Sequence, residues 1–323
     1  MSYTQLTLKE RYHISACRKL GYKQKEIAME LGVSPSTISR ELRRNRNEAG
    51  NYDPEEAEIE TRLRHRHKYK HTVITSSIER YIRSKLKMEW SPEQIAGRMR
   101  RERGESISHE TIYRFIYANK ARGGRLYRSL RHRNRKYHRR GGSKDSRGKI
   151  PHRIGIEERP RVVEKKSRIG DWEIDTVIGK GHQGVLVTLA DRKSKFALIG
   201  HAPTKEAEQV TRVTLELLEP LKQVTHTITS DNGKEFARHR EIAEALEADF
   251  YFANPYHSWE RGLNEHTNGL IRQYLPKDRE LLDVTKKELA MIQNRLNHRP
   301  RKVLGYRTPY EVFFSELVRK MAG

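Results

Sequence analysis

The stretch GDWEIDTVIGK, residues 170–180, decides how the second half of this 323-residue chain folds. Aromatic and β-branched residues alternate with acids, the period-two pattern of a strand. Counted from Trp172, the alternation puts Glu173 and Asp175 on one face and Ile174 and Thr176 on the other. Two more strand-like runs follow, GVLVTLADRKS (184–194) and KFALIGHAP (195–203). An amphipathic helix is predicted over 204–221, with Val210, Val213, Leu217 and Leu218 inward. THTITSDNG (225–233) reads as a strand entering a polar loop. A helix follows at 234–248, a short strand at 249–255, a long helix at 259–276, and further helices at 285–297 and 308–321. This order predicts an α/β domain on a mixed five-stranded sheet. Three consecutive strands imply hairpins rather than a doubly wound nucleotide-binding sheet, and GxxxxGK[ST] is absent. No nucleotide cofactor is expected.

Working outward to the N-terminus, residues 7–44 read as compact helices. Leu8, Tyr12, Ile14, Ala16 and Leu20 recur at roughly helical spacing until Gly21. A short helix with Ile27, Ala28 and Leu31 inward precedes a corner at Gly32. SPSTISRELRRN (34–45) then starts with Ser34 as cap and Pro35 in the first turn. Two short helices around a glycine corner form a helix-turn-helix pattern. Ser36, Thr37, Ser39, Arg40 and Arg43 are expected on the solvent side, suited to a major groove, with Val33 and Ile38 inward. Residues 53–72 run from acids to bases and read as a linker helix. A second helical pair over 76–117, capped at Ser91, resembles another helix-turn-helix. Ser108, His109 and Thr111 at its last helix start are its candidate DNA contacts. Residues 120–150 hold 13 Lys/Arg and five glycines, the composition of a basic flexible linker, with Arg133, Arg135 and Lys136 placed to run along phosphates.

Charge supports that division. The formal net charge is +24, which points to a polyanionic partner, and residues 1–150 carry +20 of it. The nearly neutral remainder needs another job. Cys17 is the only cysteine, so a disulfide framework and a multi-cysteine zinc site are excluded. No apolar run of about 18 residues and no signal-peptide core are present, so no membrane association is expected, and the expected location is cytoplasmic, on the nucleoid.

The acids of the second half carry the chemistry. Asp175 sits in the first strand, Asp231 just past the fourth with Asn232 and Gly233 allowing a sharp turn, and Glu265 in the following helix. Fifty-five residues separate the first pair and 33 the second. Three carboxylates so placed can hold two divalent cations, with Mg²⁺ favoured for its hard oxygen ligands and Mn²⁺ able to substitute. Two ions about 4 Å apart activate an attacking oxygen and stabilise a leaving one on a single phosphate. Asp171, Glu173, Asp191, Glu235 and Glu260 are the competing acids. Arg272, seven positions after Glu265, lies along the same helical face and is a candidate phosphate contact.

Together these residues resemble the insertion-sequence-thirty (IS-thirty) family of bacterial DDE transposases, of the retroviral-integrase-like RNase H group. The resemblance covers nearly the whole chain. KQKEIAMELGVSPSTISREL looks like the family's first DNA-binding module, and WSPEQIAGRMRRE with ISHETIYRFIY like its second. GDWEIDTVIG, TSDNGKEF and NPYHSWERGLNEHTNGLIRQYLPK look like its catalytic blocks. The resemblance implies that Asp175, Asp231 and Glu265 form the catalytic triad, with Arg272 at the basic position after the glutamate. Ile174 departs from the glycine usual there, and isoleucine suits a strand interior.

The implied organisation is a first helix-turn-helix at 1–50, a linker helix and second helix-turn-helix at 51–119, a basic linker at 120–160 and an RNase H-like core at 161–323. The implied activity is binding of terminal inverted repeats in double-stranded DNA, cleavage that exposes 3′ hydroxyls, and strand transfer into target DNA. Pairing two ends calls for a homodimer or higher oligomer. Two rival readings are a DNA-binding regulator with an inactive core and a nuclease without strand transfer.

Overall fold

The computed structural model describes residues 5–47, 50–67, 73–131, 150–254, 257 and 262–322. The chain divides into two compact units, Met1–Val73 and Ile74–Gly323.

The first unit is four helices: α1 (Leu8–Lys19), α2 (Gln24–Glu30), α3 (Pro35–Arg44) and α4 (Pro54–His67). Thr7 and Glu10 close a reciprocal cap on α1, which satisfies two otherwise orphaned backbone donors. Gly32, at φ +62°, makes the corner between α2 and α3, and Ser34 caps α3 with Pro35 in its first turn. The core comprises Ile14, Cys17, Ile27, Ala28, Ile38, Leu42, Tyr52 and Ala57. The helix read from sequence as a linker, α4, therefore packs into this unit through Ala57.

The helix expected at α1 is present, and of its regularly spaced apolar positions only Ile14 is buried. Leu8, Tyr12 and Leu20 are exposed, and the buried positions are Arg11, Ile14 and Cys17. Apolar spacing misses this stripe because one of its members is charged. Arg11 is 3 % exposed and joins three helices, donating from Nε to Glu41 at 2.7 Å and pairing with Glu58. Removing one member of such a set strands the others. Arg11→Ala should cost the unit about 3 kcal/mol. Chemical denaturation followed by helical circular dichroism checks this, and a midpoint unchanged from wild type would show the ion set to be idle.

The second unit begins with α5 (Ser76–Lys87), α6 (Pro92–Arg103) and α7 (His109–Ala121) around Ile82, Leu86, Trp90, Ile95, Met99, Ile112 and Ile116. Ser91 and Gln94 form a reciprocal cap on α6, and Gly104 ends that helix at φ +67°.

The sheet has β1 (Asp171–Ile178), β2 (Val185–Asp191), β3 (Ala197–Ala202), β4 (Thr227–Ser230) and β5 (Asp249–Phe252), in the order β3-β2-β1-β4-β5. The β1–β2 and β2–β3 pairs are antiparallel, whereas β1–β4 and β4–β5 are parallel. The chain does contain the spacing G-x-G-x-x-G, at 179–184, but it forms the turn between antiparallel β1 and β2. A phosphate-binding glycine loop leads from a strand into a helix, so this one is a hairpin connection.

The remaining helices are α8 (Arg161–Lys165), α9 (Ala207–Leu218), α10 (His239–Leu246), α11 (Gly262–Ile271), α12 (Lys286–Asn297) and α13 (Pro309–Ala322). They cover both faces of the sheet, and every residue of β2 is buried as a result. Trp172, Ile174, Val187 and Phe250 share one core with residues of α9, α10 and α13. Val177, Leu186 and Ile199 share another with residues of α11 and α12. Ile174, fully buried, fits its strand-interior position.

The α5–α7 group is fastened to the sheet domain. Arg98 of α6 makes a two-pronged pair with Glu311 of α13 and donates to the Tyr306 carbonyl at 3.1 Å. Gly97 leaves room for the Tyr306 ring, since a Cβ there would lie 2.2 Å from it. The Arg98 guanidinium holds the Glu311 carboxyl down to about 2. A carboxyl depressed in the folded state stabilises above its ordinary pKa near 4.5 and loses that contribution as pH falls toward 2. Glu311→Gln should therefore lower the urea midpoint at pH 7, with the gap to wild type closing between pH 4.5 and pH 2. A gap independent of pH would show that the pair contributes by shape alone.

Candidate active site

β1 occupies the middle of the sheet, and Asp175 is fifth of its eight residues. β4 runs parallel beside it, with Glu173 opposite Thr229. Carried two places further, that register brings Asp231 level with Asp175. Both line one cleft of about 620 Å³ together with Thr176, Lys205, Lys234 and Glu235.

Asp175 is held at both oxygens. Oδ1 accepts from the Thr176 amide at 2.9 Å, and Oδ2 accepts from Asn268 Nδ2 at 2.8 Å. Thr188 donates to Asn268 Oδ1 at 3.0 Å, which sets the amide's orientation. The Asp231 loop is fixed as a turn: Gly233 N donates to Asp231 Oδ1 at 2.9 Å, and Asn232 Nδ2 donates to the Ala253 carbonyl at 2.7 Å.

The competing acids have structural partners. Asp171 is paired with Arg168 and accepts from Thr227, and burial pushes Asp191 up to about 6 while Ser194 and the Gly170 amide bond to it. Glu173 is buried, lies 2.7 Å from Arg192 and accepts the Asn264 amide at the start of α11. It thereby pins α11 to β1. Glu235 shares the cleft, held by Lys205 at 2.8 Å and Thr176 at 2.9 Å. Glu260 lies outside the described residues.

Glu265 is exposed in the first turn of α11 and does not line this cleft; Asn268, one turn later, reaches Asp175 instead. Among the described residues no three His, Cys, Asp or Glu side chains gather as a metal cluster. Arg272 donates to the carbonyls of Ile178 at 2.6 Å and Leu275 at 3.4 Å, so it ties the end of β1 to the segment after α11.

Of the candidate DNA contacts, Ser36, Ser39, Arg40 and Arg43 are exposed along α3, and Thr37 is half-buried beside Arg40, Arg44 and Arg64. Ser108 caps α7 by accepting the Thr111 amide at 3.1 Å, and their hydroxyls bond to one another, while His109 is exposed. Arg133, Arg135 and Lys136 lie outside the described residues. Sequence reasoning missed Asn268 and Lys205. Asn268 was findable, since it stands three places after Glu265 on the same helical face. Nothing local marked Lys205 as the partner of Glu235.

Residues 2–45 match the helix-turn-helix domain family, and residues 166–258 match the integrase core domain family. The chain is 48% identical to the transposase for insertion sequence element IS4351 of Bacteroides fragilis, over 95% of both chains. It is 35% identical to the transposase for insertion sequence element IS1086 of Cupriavidus metallidurans, covering 96% of this chain and 94% of that one. It is also 35% identical to transposase InsI for insertion sequence element IS30A of Escherichia coli, covering 95% and 82%. With such identity along nearly its whole length, and a DNA-binding helical domain ahead of an integrase-like sheet, the chain belongs to the insertion-sequence-thirty-like family of DDE transposases.

Proposed function

We propose that this transposase binds the terminal inverted repeats of its element, cuts there to free 3′ hydroxyls and joins them to target DNA. Asp175, Asp231 and Glu265 are its proposed ligands for Mg²⁺ or Mn²⁺, two ions per site. The observation that carries the reading is that Asp175 in β1 and Asp231, just past the end of the parallel neighbour β4, line one cleft. Their hard carboxylate oxygens are the donors such cations take. Glu265 comes from the helix whose next turn already touches Asp175 through Asn268. When bound, the cations supply activation of the attacking oxygen and stabilisation of the leaving oxygen.

The protein's own groups do the rest. Asn268 and the Thr176 amide fix the Asp175 carboxylate before DNA arrives, which lowers the cost of reorganisation. Lys234 and the Glu235-held Lys205 flank the cleft and favour phosphates. The exposed Ser36, Ser39, Arg40 and Arg43 read base edges, joined by Thr37, and Ser108, His109 and Thr111 supply the second module's contacts. Arg133, Arg135 and Lys136 grip backbone, and two protomers at least hold two ends together.

The test is cleavage and joining of a labelled end duplex. EDTA should stop both reactions and leave the gel-shift on end DNA in place, and Mg²⁺ or Mn²⁺ in excess should restore them. Binding without any cleavage under all metal conditions would favour a regulator with a silent core.

A further inference from the structure

Apart from the cleft, the second unit holds a cavity of about 540 Å³ between α7, α11 and the segment after α12. Arg131, Arg299, Arg301 and His266 line it, with Tyr113 and Tyr117 on the α7 wall. Arg299 is 3 % exposed, and its Nε is buried with no hydrogen-bond partner among the described residues. The Nε of Arg301 is buried and unpartnered in the same way. Arg131 lies against α11 where Gly269 has no side chain, 3.1 Å from the position a Cβ would take.

Acids do not balance this cluster. Glu89 lies 3.7 Å from Arg299 but 3.1 Å from Arg295, and Glu93 at the wall is paired with Lys302 at 2.9 Å. Burial first, then the charges of Arg299 and Arg131, push Arg301 down to about 10. A desolvated guanidinium with an unused donor is costly unless an anion meets it.

We propose that this cavity is a second phosphate site, distinct from the Asp175–Asp231 cleft, which takes one backbone phosphate of the element's end. The proposal rests on the reading of the chain as an end-binding enzyme. Arg299 spends both terminal nitrogens on Gln273 and Tyr274 and Arg301 one on the Leu296 carbonyl, so a phosphate meets the unused Nε groups of these two together with the Arg131 guanidinium. Tyr113 and Tyr117, stacked with centroids 6.3 Å apart, offer the flat wall a sugar or base adjoining that phosphate needs. α11 links the two sites: His266 faces the cavity and Asn268 holds Asp175. A seated phosphate therefore steadies the helix that carries Glu265, so that correct DNA engagement organises the catalytic acids.

The test uses full-length Arg131→Gln and Arg301→Gln proteins, leaving Arg299 and its structural contacts alone. End duplexes carrying one uncharged methylphosphonate linkage each are titrated against all three proteins. One linkage should weaken wild-type binding about tenfold and leave each variant unchanged. Because each protein is compared with itself across duplexes, a general loss of stability does not mimic this. No such linkage, with wild type still cutting end DNA, overturns the phosphate site and leaves the proposed function standing. Inorganic phosphate that raises the melting temperature of wild type but of neither variant, with no selective linkage, identifies a free-anion site and equally overturns the proposal. A wild type that neither binds nor cuts end DNA sinks both readings.

Discussion

Asp175→Asn and Asp231→Asn should each lower cleavage and joining by roughly a thousandfold or more, with end binding nearly unchanged. The magnitude follows from losing a charged ligand where transition-state charge is stabilised, about 4 kcal/mol at tenfold per 1.36 kcal/mol. Binding survives because neither residue belongs to the helical modules proposed to grip DNA. Asn268→Ala is the companion variant. It leaves all three acids in place and removes the Asn268 bond to Asp175 Oδ2. Its expected loss is smaller, about 10- to 100-fold, as for groups that orient a metal ligand. Parallel gel-shift and metal-dependent cleavage assays check the series. Near-normal turnover by Asp175→Asn would remove the cleft from the mechanism. Glu265→Gln should match the two aspartate variants, and activity in that protein would instead promote Glu260.

The second large effect is on folding. Gly170 sits at φ +92° immediately before β1, and a Cβ there would lie 1.6 Å from the Val224 carbonyl oxygen. The obstacle is backbone, so no rotamer change relieves it. Gly170 also accepts the His226 amide at 2.8 Å, which sets β4 against β1. Gly170→Ala therefore combines left-handed strain with overpacking at the strand pair that aligns Asp175 and Asp231. Together these should cost about 3–5 kcal/mol and lower the melting temperature by roughly 10 °C. Calorimetry on the purified full-length variant measures this. A melting temperature within a degree of wild type would mean the turn adjusts freely.

Both predictions rest on features that differ in how they appear in the chain. The strand in WEIDTV, the cap at Ser34 and the helical spacing of Ile112 and Ile116 are local, and each is borne out: Trp172 and Ile174 enter one core and Val177 the other, Ser34 accepts the Ser36 amide, and Ile112 and Ile116 are buried. The order of strands and helices likewise determined a mixed five-stranded sheet, since hairpins and parallel crossovers leave different spacings along a chain. The inward side of α1 was not legible. Its buried Arg11 belongs there only because Glu41 and Glu58, remote in sequence, meet it.

The acids show the same boundary. Residue type and spacing picked out Asp175 and Asp231, because an acid in a central strand and another in a sharp turn are unusual enough to notice. Sequence could not separate them from Glu173, Asp191 and Glu235, which are as acidic and as near. Tertiary contacts give Glu173 to Arg192, Asp191 to Ser194 and Glu235 to Lys205, while Asp175 and Asp231 line the cleft that Glu235 also enters. The convergence of Arg131, Arg299 and Arg301 is of this second kind too. Arg131 is remote in sequence from Arg299 and Arg301, and the fold alone brings the segment that follows α7 and the segment that follows α12 to one cavity. Periodicity and local chemistry are written in neighbouring residues, whereas the pairing of charges depends on which distant segments the folded sheet and helices bring together.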